Sequence, residues 1–98
     1  MAEDPTKVAS HVYRILFEND RVRILDARAA PGDVTAMHGH PDHIAVALAP
    51  AKFKFTTSGG ETVKAELDFG QAMFVDGGEH STENTGDGEL RAVLIELK

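Results

Sequence analysis

Residues 31–43 have the sequence PGDVTAMHGHPDH and contain three of the five histidines of the chain. Pro31 and Gly32 predict a tight turn, because proline presets φ and glycine can adopt a positive φ. The residues after the turn suit a strand, in which alternate side chains share a face, so His38 and His40 should point the same way. Two imidazoles on one face can bind one metal ion; the alternative interpretation is a polar strand end that faces solvent.

On both sides of this segment, short apolar or alternating runs are separated by turns rich in Gly, Pro, Asn and Asp. These runs predict strands at residues 11–17, 21–29, 34–40, 43–49, 52–56, 61–65, 71–75 and 90–97. Short strands at roughly 8–12-residue spacing, with no sustained helical period, are typical of an antiparallel sandwich or barrel. We therefore expect an all-β fold whose core contains, by default, Met37, Phe53, Phe55, Phe69, Met73 and Phe74.

The bulk properties of the chain limit its partners. Its 98 residues suffice for one domain, which we place at residues 11–98, after a polar N-terminal arm at residues 1–10 that we expect to be mobile. The net charge of −6 argues against nucleic acid and anionic membranes as partners. The sequence has no apolar run long enough for a membrane span, and no signal peptide is recognisable. The absence of cysteine excludes thiolate ligands and disulfides and fits a cytoplasmic location.

Two segments resemble the motifs of the cupin superfamily. The Pro31-Gly32 pair, followed after five residues by His38 and His40, resembles the first cupin motif. The second motif has a looser counterpart, which consists of Gly70, Gly77 or Gly78, His80 and Asn84. The resemblance covers about residues 11–98 and implies a double-stranded β-helix, also called a jelly-roll barrel. A narrower resemblance, carried by residues 19–23 and the histidine strand, is to small single-domain bacterial cupins linked with β-alanine degradation.

The resemblance also implies a metal site, because His38, His40 and His80 would converge on a divalent ion inside the barrel. Cupins complete this site with a glutamate, but Ile44 and Ala45 occupy its expected positions here. His43 precedes them, and a shorter connection would place it in the role of the glutamate; otherwise it is a histidine at a pocket rim or the surface. Nitrogen ligands favour zinc, iron, nickel or copper over magnesium, calcium or manganese.

Two classes of function remain open at this stage. One is a metal-dependent enzyme of the dioxygenase, isomerase or decarboxylase type that acts on a small anionic organic molecule, with His43 as the acid–base candidate. The other is a non-catalytic module that binds or senses a small ligand or a metal, and this fold hosts both. An arginine beside the metal would be informative, and the candidates are Arg14, Arg23, Arg28 and Arg91. Apolar edge strands at residues 11–17 and 90–97 predict a homodimer.

Overall fold

The computed structural model describes residues 3–98, and strands dominate them. The described residues contain one short helix, α1, and nine strands. Their bounds are α1 Pro5–Val8, β1 Tyr13–Glu18, β2 Val22–Ala29, β3 His38–His40, β4 His43–Ala47, β5 Ala51–Thr57, β6 Thr62–Leu67, β7 Ala72–Val75, β8 Gly78–Asn84 and β9 Leu90–Leu97. The all-β prediction is confirmed. The histidine strand is shorter than expected, because Val34 forms only an isolated bridge with Glu83.

The strands form two antiparallel sheets. A five-stranded sheet has the order β1-β2-β9-β4-β7, and a four-stranded sheet has the order β3-β8-β5-β6. Strands that are distant in the sequence therefore lie side by side, as in a jelly roll. The expectation that residues 90–97 form an edge strand is wrong, because β9 lies in the middle of its sheet, whereas β1 is an edge strand as expected. The chain turns into the histidine segment at Pro31-Gly32 as predicted, and Gly32 has a φ of +85° that favours glycine.

The core lies between the inner faces of the two sheets. Leu25 and Leu94 pair across β2 and β9, and both are buried. Phe53 and Leu67 cover them from the four-stranded sheet. Three core predictions are wrong: Phe69 is 73% exposed, Phe74 is 55% exposed and Met37 is 37% exposed.

The outer face of the five-stranded sheet carries a continuous apolar row, which explains the exposure of Phe74. The strand registers pair Phe17 with Ile24, Ile24 with Ile95, Ile95 with Ile44, and Ile44 with Phe74. We call these five residues the outer row. Its two ends, Phe17 and Phe74, are each more than half exposed. The sequence shows that these residues are apolar, but the register decides which face they occupy.

Residues 3–10 lie against the barrel. The carbonyl oxygen of Glu3 accepts a hydrogen bond from the Gly39 N–H group at 2.7 Å, next to both histidines of β3. The mobility that we expect for residues 1–10 stays a prediction, and residues 1 and 2 lie outside the described part of the chain. No helix within the described part is long and apolar enough to span a membrane.

Candidate metal centre

Three buried histidines meet inside the barrel. His38 and His40 share a face of β3, as their spacing predicts, and they are 0% and 6% exposed. Strand β3 pairs with β8 in a register that sets His38 opposite His80. One ring nitrogen from each of the three residues lies within 4.8 Å of the other two. The structure therefore brings together the three residues that the cupin resemblance implies as ligands.

Hydrogen bonds orient two of these rings. The Nδ1 atom of His38 lies 2.8 Å from the carbonyl oxygen of Ala36, and that of His40 lies 2.6 Å from Oε2 of Glu96. Both partners are acceptors, so each Nδ1 carries a proton, and in a neutral imidazole the lone pair then lies on Nε2. Both Nε2 atoms are buried and have no hydrogen-bond partner within residues 3–98. Such orphaned lone pairs are what a metal ion would satisfy, so the residues present fit a metal.

The electrostatic environment keeps two of these histidines, His38 and His80, neutral. Burial, reinforced by the neighbouring imidazoles, lowers the pKa of His38 to about 4 although its hydrogen bond to Ala36 opposes the shift. Burial and the imidazoles of His38, His40 and His43 lower the pKa of His80 to about 3. The ring of Phe55 stacks on His80 at 4.5 Å with an interplanar angle of 10°. Because neutral imidazole is the form that binds metals, these two rings are ready to coordinate at neutral pH.

A series of paired charged groups extends outward from His40, and the sequence analysis did not predict it. Glu96, on β9, contacts His40 through one oxygen and Nε of Arg23 through the other at 2.7 Å. Arg23 in turn reaches Asp4, with Nη1 2.9 Å from Oδ2. Burial alone would raise the pKa of Glu96, but the hydrogen bonds from His40 and Arg23 lower it, so the carboxylate stays charged. The signal was present in the sequence as a lone acid at an inward position of an apolar strand.

Comparison with solved structures identifies the architecture. A cupin domain from Bordetella pertussis Tohama I superposes with a TM-score of 0.79 at 29% identity, over 89% of this chain and 92% of that one. The fold is that of the cupins. An RmlC-like cupin from Methanocaldococcus jannaschii gives a TM-score of 0.69 at 14% identity, over 88% of this chain and 78% of that one. No protein-family model and no curated protein matches the chain.

A third solved structure agrees on the fold. An uncharacterised conserved protein with a double-stranded β-helix domain, from Klebsiella pneumoniae, gives a TM-score of 0.68 at 18% identity. That match covers 88% of this chain and 75% of the other. The resemblance to cupins inferred from the two motifs is therefore confirmed at the level of the fold.

The cupin glutamate has no carboxylate counterpart at its expected positions in this barrel. Ile44 belongs to the outer row, and Ala45 is a buried alanine of the core. His43 is 2% exposed, and its ring centre lies 4.6 Å from that of His40. Its Nδ1 atom lies 3.0 Å from the carbonyl oxygen of Pro41, and burial lowers its pKa. His43 thus lies beside the centre but outside the group of three with close ligand atoms, and its role as a ligand stays a prediction.

A small cavity adjoins the histidines inside the cupin barrel. Its volume is about 50 Å³, and His40, His43 and His80 form one side of it. None of the four candidate arginines lines it. Arg14 and Arg28 both pair with Asp26, Arg23 pairs with Glu96, and Arg91 lies 3.9 Å from Glu89.

Proposed function

We propose that this cupin binds one divalent transition metal ion through His38, His40 and His80 and is a metal-dependent enzyme that acts on a small anionic organic molecule. The observation that carries the proposal is the pair of buried Nε2 atoms on His38 and His40 without a partner in residues 3–98. A buried polar atom without a partner is costly, and one metal ion would satisfy both of these atoms.

The donor set narrows the choice of metal. Three imidazole nitrogens suit zinc, iron, nickel or copper better than the oxygen-preferring ions. Three neutral ligands leave the full +2 charge, so an anion should complete the coordination. When bound, the ion would supply a Lewis acid for an oxygen of the substrate.

The residues of the chain itself would orient the rings that bind the metal, transfer a proton and exclude water from the site. Glu96 fixes the ring of His40, and Phe55 packs flat on His80. The hydrogen bond from Nδ1 of His43 to Pro41 leaves Nε2 as the atom with which His43 would accept or donate a proton. The apolar wall of the cavity would exclude bulk water from that proton transfer.

Metal content tests the binding part of the proposal. Protein purified without chelator should hold close to one transition-metal ion per chain by elemental analysis. Each of the variants His38→Ala, His40→Ala and His80→Ala should lose it, because one ligand of three contributes about 3–5 kcal/mol of a total near 10–16 kcal/mol. His11→Ala is the matched control, because His11 is exposed. Protein that holds no metal and takes up none of the four candidate ions at neutral pH would refute the proposal.

The alternative, a non-catalytic binding or sensing module, is favoured by the scarcity of acid–base groups around the cavity. Among the residues of 3–98 that line the cavity, Tyr13 is the only ionisable one besides the histidines, and burial raises its pKa to about 12. Proton NMR of small organic acids mixed with metal-loaded protein, under air, separates the two functions. New product signals indicate an enzyme, whereas broadened signals without products indicate a binding module.

A further inference from the structure

The walls of the cavity beside the histidines are made of short apolar side chains. Five alanines contribute to them from both sheets, namely Ala27, Ala45, Ala47, Ala51 and Ala92. Three aromatic rings, those of Tyr13, Phe53 and Phe55, and three leucines line the rest of the apolar surface. Alanine leaves space where a larger residue would fill the barrel, and it offers no hydrogen-bonding group. The space next to the metal ligands is therefore shaped for a small apolar group.

The volume of the cavity limits the size of that group. One water-sized group needs about 10–15 Å³ of such volume. A cavity of about 50 Å³ exceeds this minimum and is still small, so it admits a compact group.

The charges around the cavity limit the number of ionic groups on the ligand. None of the residues that line it carries a carboxylate, an ammonium or a guanidinium group. Glu96, which contacts the ring of His40, shares Arg23 with Asp4, so these three groups together carry a charge of −1. A divalent ion on three neutral imidazoles would bring the charge of this region to +1, which one anionic group at close range can balance. A second anionic group would be buried without a partner, which is strongly unfavourable.

We propose that the ligand or substrate of this site is a small monoanion with a short apolar body, such as an unbranched carboxylate of two or three carbon atoms. Its charged group faces the metal and its carbon atoms lie among the alanines. This inference rests on the proposed metal centre, and it adds two selectivities: against longer chains and against a second charge.

Calorimetric titration of the zinc-loaded protein with four probes tests both selectivities. Propionate should bind, whereas its uncharged isostere propionamide should bind at least about tenfold more weakly because it cannot neutralise the ion. Hexanoate should also bind at least about tenfold more weakly, because its three further carbon atoms exceed the space between the alanines. Succinate has as many non-hydrogen atoms as hexanoate but a second carboxylate, and it should be the weaker of these two.

Replacing each of two alanines by leucine tests where the apolar part of the ligand binds. Ala92 faces the cavity from β9, whereas Ala72 on β7 is exposed. Ala92→Leu should weaken propionate binding by about tenfold or more while formate still binds, because only the space for the tail is lost. Ala72→Leu is the matched control and should bind propionate as the unmodified protein does. Unfolding curves and metal content confirm that each variant is folded and loaded.

The outcomes separate this inference from the proposed function. Protein that takes up no zinc refutes the metal centre and the ligand class together. Loaded protein that binds none of the acids, that prefers hexanoate or propionamide to propionate, or that binds succinate more tightly than hexanoate refutes the ligand class and leaves the metal centre intact. Propionate binding that is unchanged in a folded, loaded Ala92→Leu variant also refutes it.

Discussion

Replacing Glu96 by glutamine should weaken metal binding although Glu96 is not proposed as a ligand. The carboxylate accepts from His40 through one oxygen and from Arg23 through the other, at 2.6 and 2.7 Å. Glutamine has a single acceptor oxygen, so only one of these contacts can survive. If the amide oxygen turns toward Arg23, the amide NH₂ group faces Nδ1 of His40. His40 would then carry its proton on Nε2, the atom that must bind the ion.

The size of the effect follows from how metal sites respond when a group that orients a ligand is removed. Such changes typically weaken metal affinity by about 10–100-fold, which corresponds to about 1.4–2.7 kcal/mol of binding free energy. Because His40 keeps its place on β3, the loss should be smaller than that caused by His40→Ala. Competition for zinc with a chromophoric chelator measures the affinity, and ¹⁵N NMR of the imidazole reports which nitrogen of His40 carries the proton in the metal-free protein.

Glu89→Gln is the matched control, because Glu89 is an exposed acid beside β9 that lies 3.9 Å from Arg91 and outside the group of histidines. It should leave zinc affinity unchanged. A folded Glu96→Gln protein with unmodified affinity and with the proton still on Nδ1 of His40 would refute the reasoning.

Three further outcomes are expected. His43→Ala should keep its metal ion in elemental analysis, because the close group consists of the other three histidines; loss of the ion would instead give His43 the role of the cupin glutamate. The free energy of unfolding of the metal-free protein, measured by urea titration, should fall as the pH drops below about 6.5. The unfolded chain takes up protons near the ordinary pKa of histidine, whereas in the folded protein His38 and His80 are protonated only near pH 4 and pH 3. Light scattering should show a homodimer, and Phe17→Glu in the outer row should dissociate it. Val63→Glu on the other sheet is the control, since Val63 is similarly exposed at 54%. A monomeric unmodified protein would contradict the prediction.

The part of the site that depends on local geometry could be predicted from the sequence. The shared face of His38 and His40 follows from the two-residue period of a strand, and both rings are buried together. The position of His80 required the cupin resemblance, because it depends on the pairing of β3 with β8. No local rule gives that register.

The contacts that orient the site could not be predicted, because they join distant parts of the chain. Glu96 and His40 are 56 residues apart, and the sequence suggests Arg23 only as a candidate for lining the pocket. The exposed Phe69 and Phe74 were assigned to the core for a related reason. Hydrophobicity indicates that burial of a side chain is favourable, but it does not show whether that side chain is buried in the barrel interior or lies on the outer face of a sheet.

The contacts of the N-terminal segment join the start of the chain to the candidate metal centre. Glu3 hydrogen-bonds to Gly39 between two of the histidines, and Asp4 ends the chain of charges that begins at His40. Free-energy coupling between two events is reciprocal. A change that weakens the packing of Glu3 and Asp4 against the barrel should therefore weaken metal binding. Conversely, a bound ion should stabilise the packing of this segment by the same free energy. An extension fused to this end of the chain would then change the affinity of a site that it never touches.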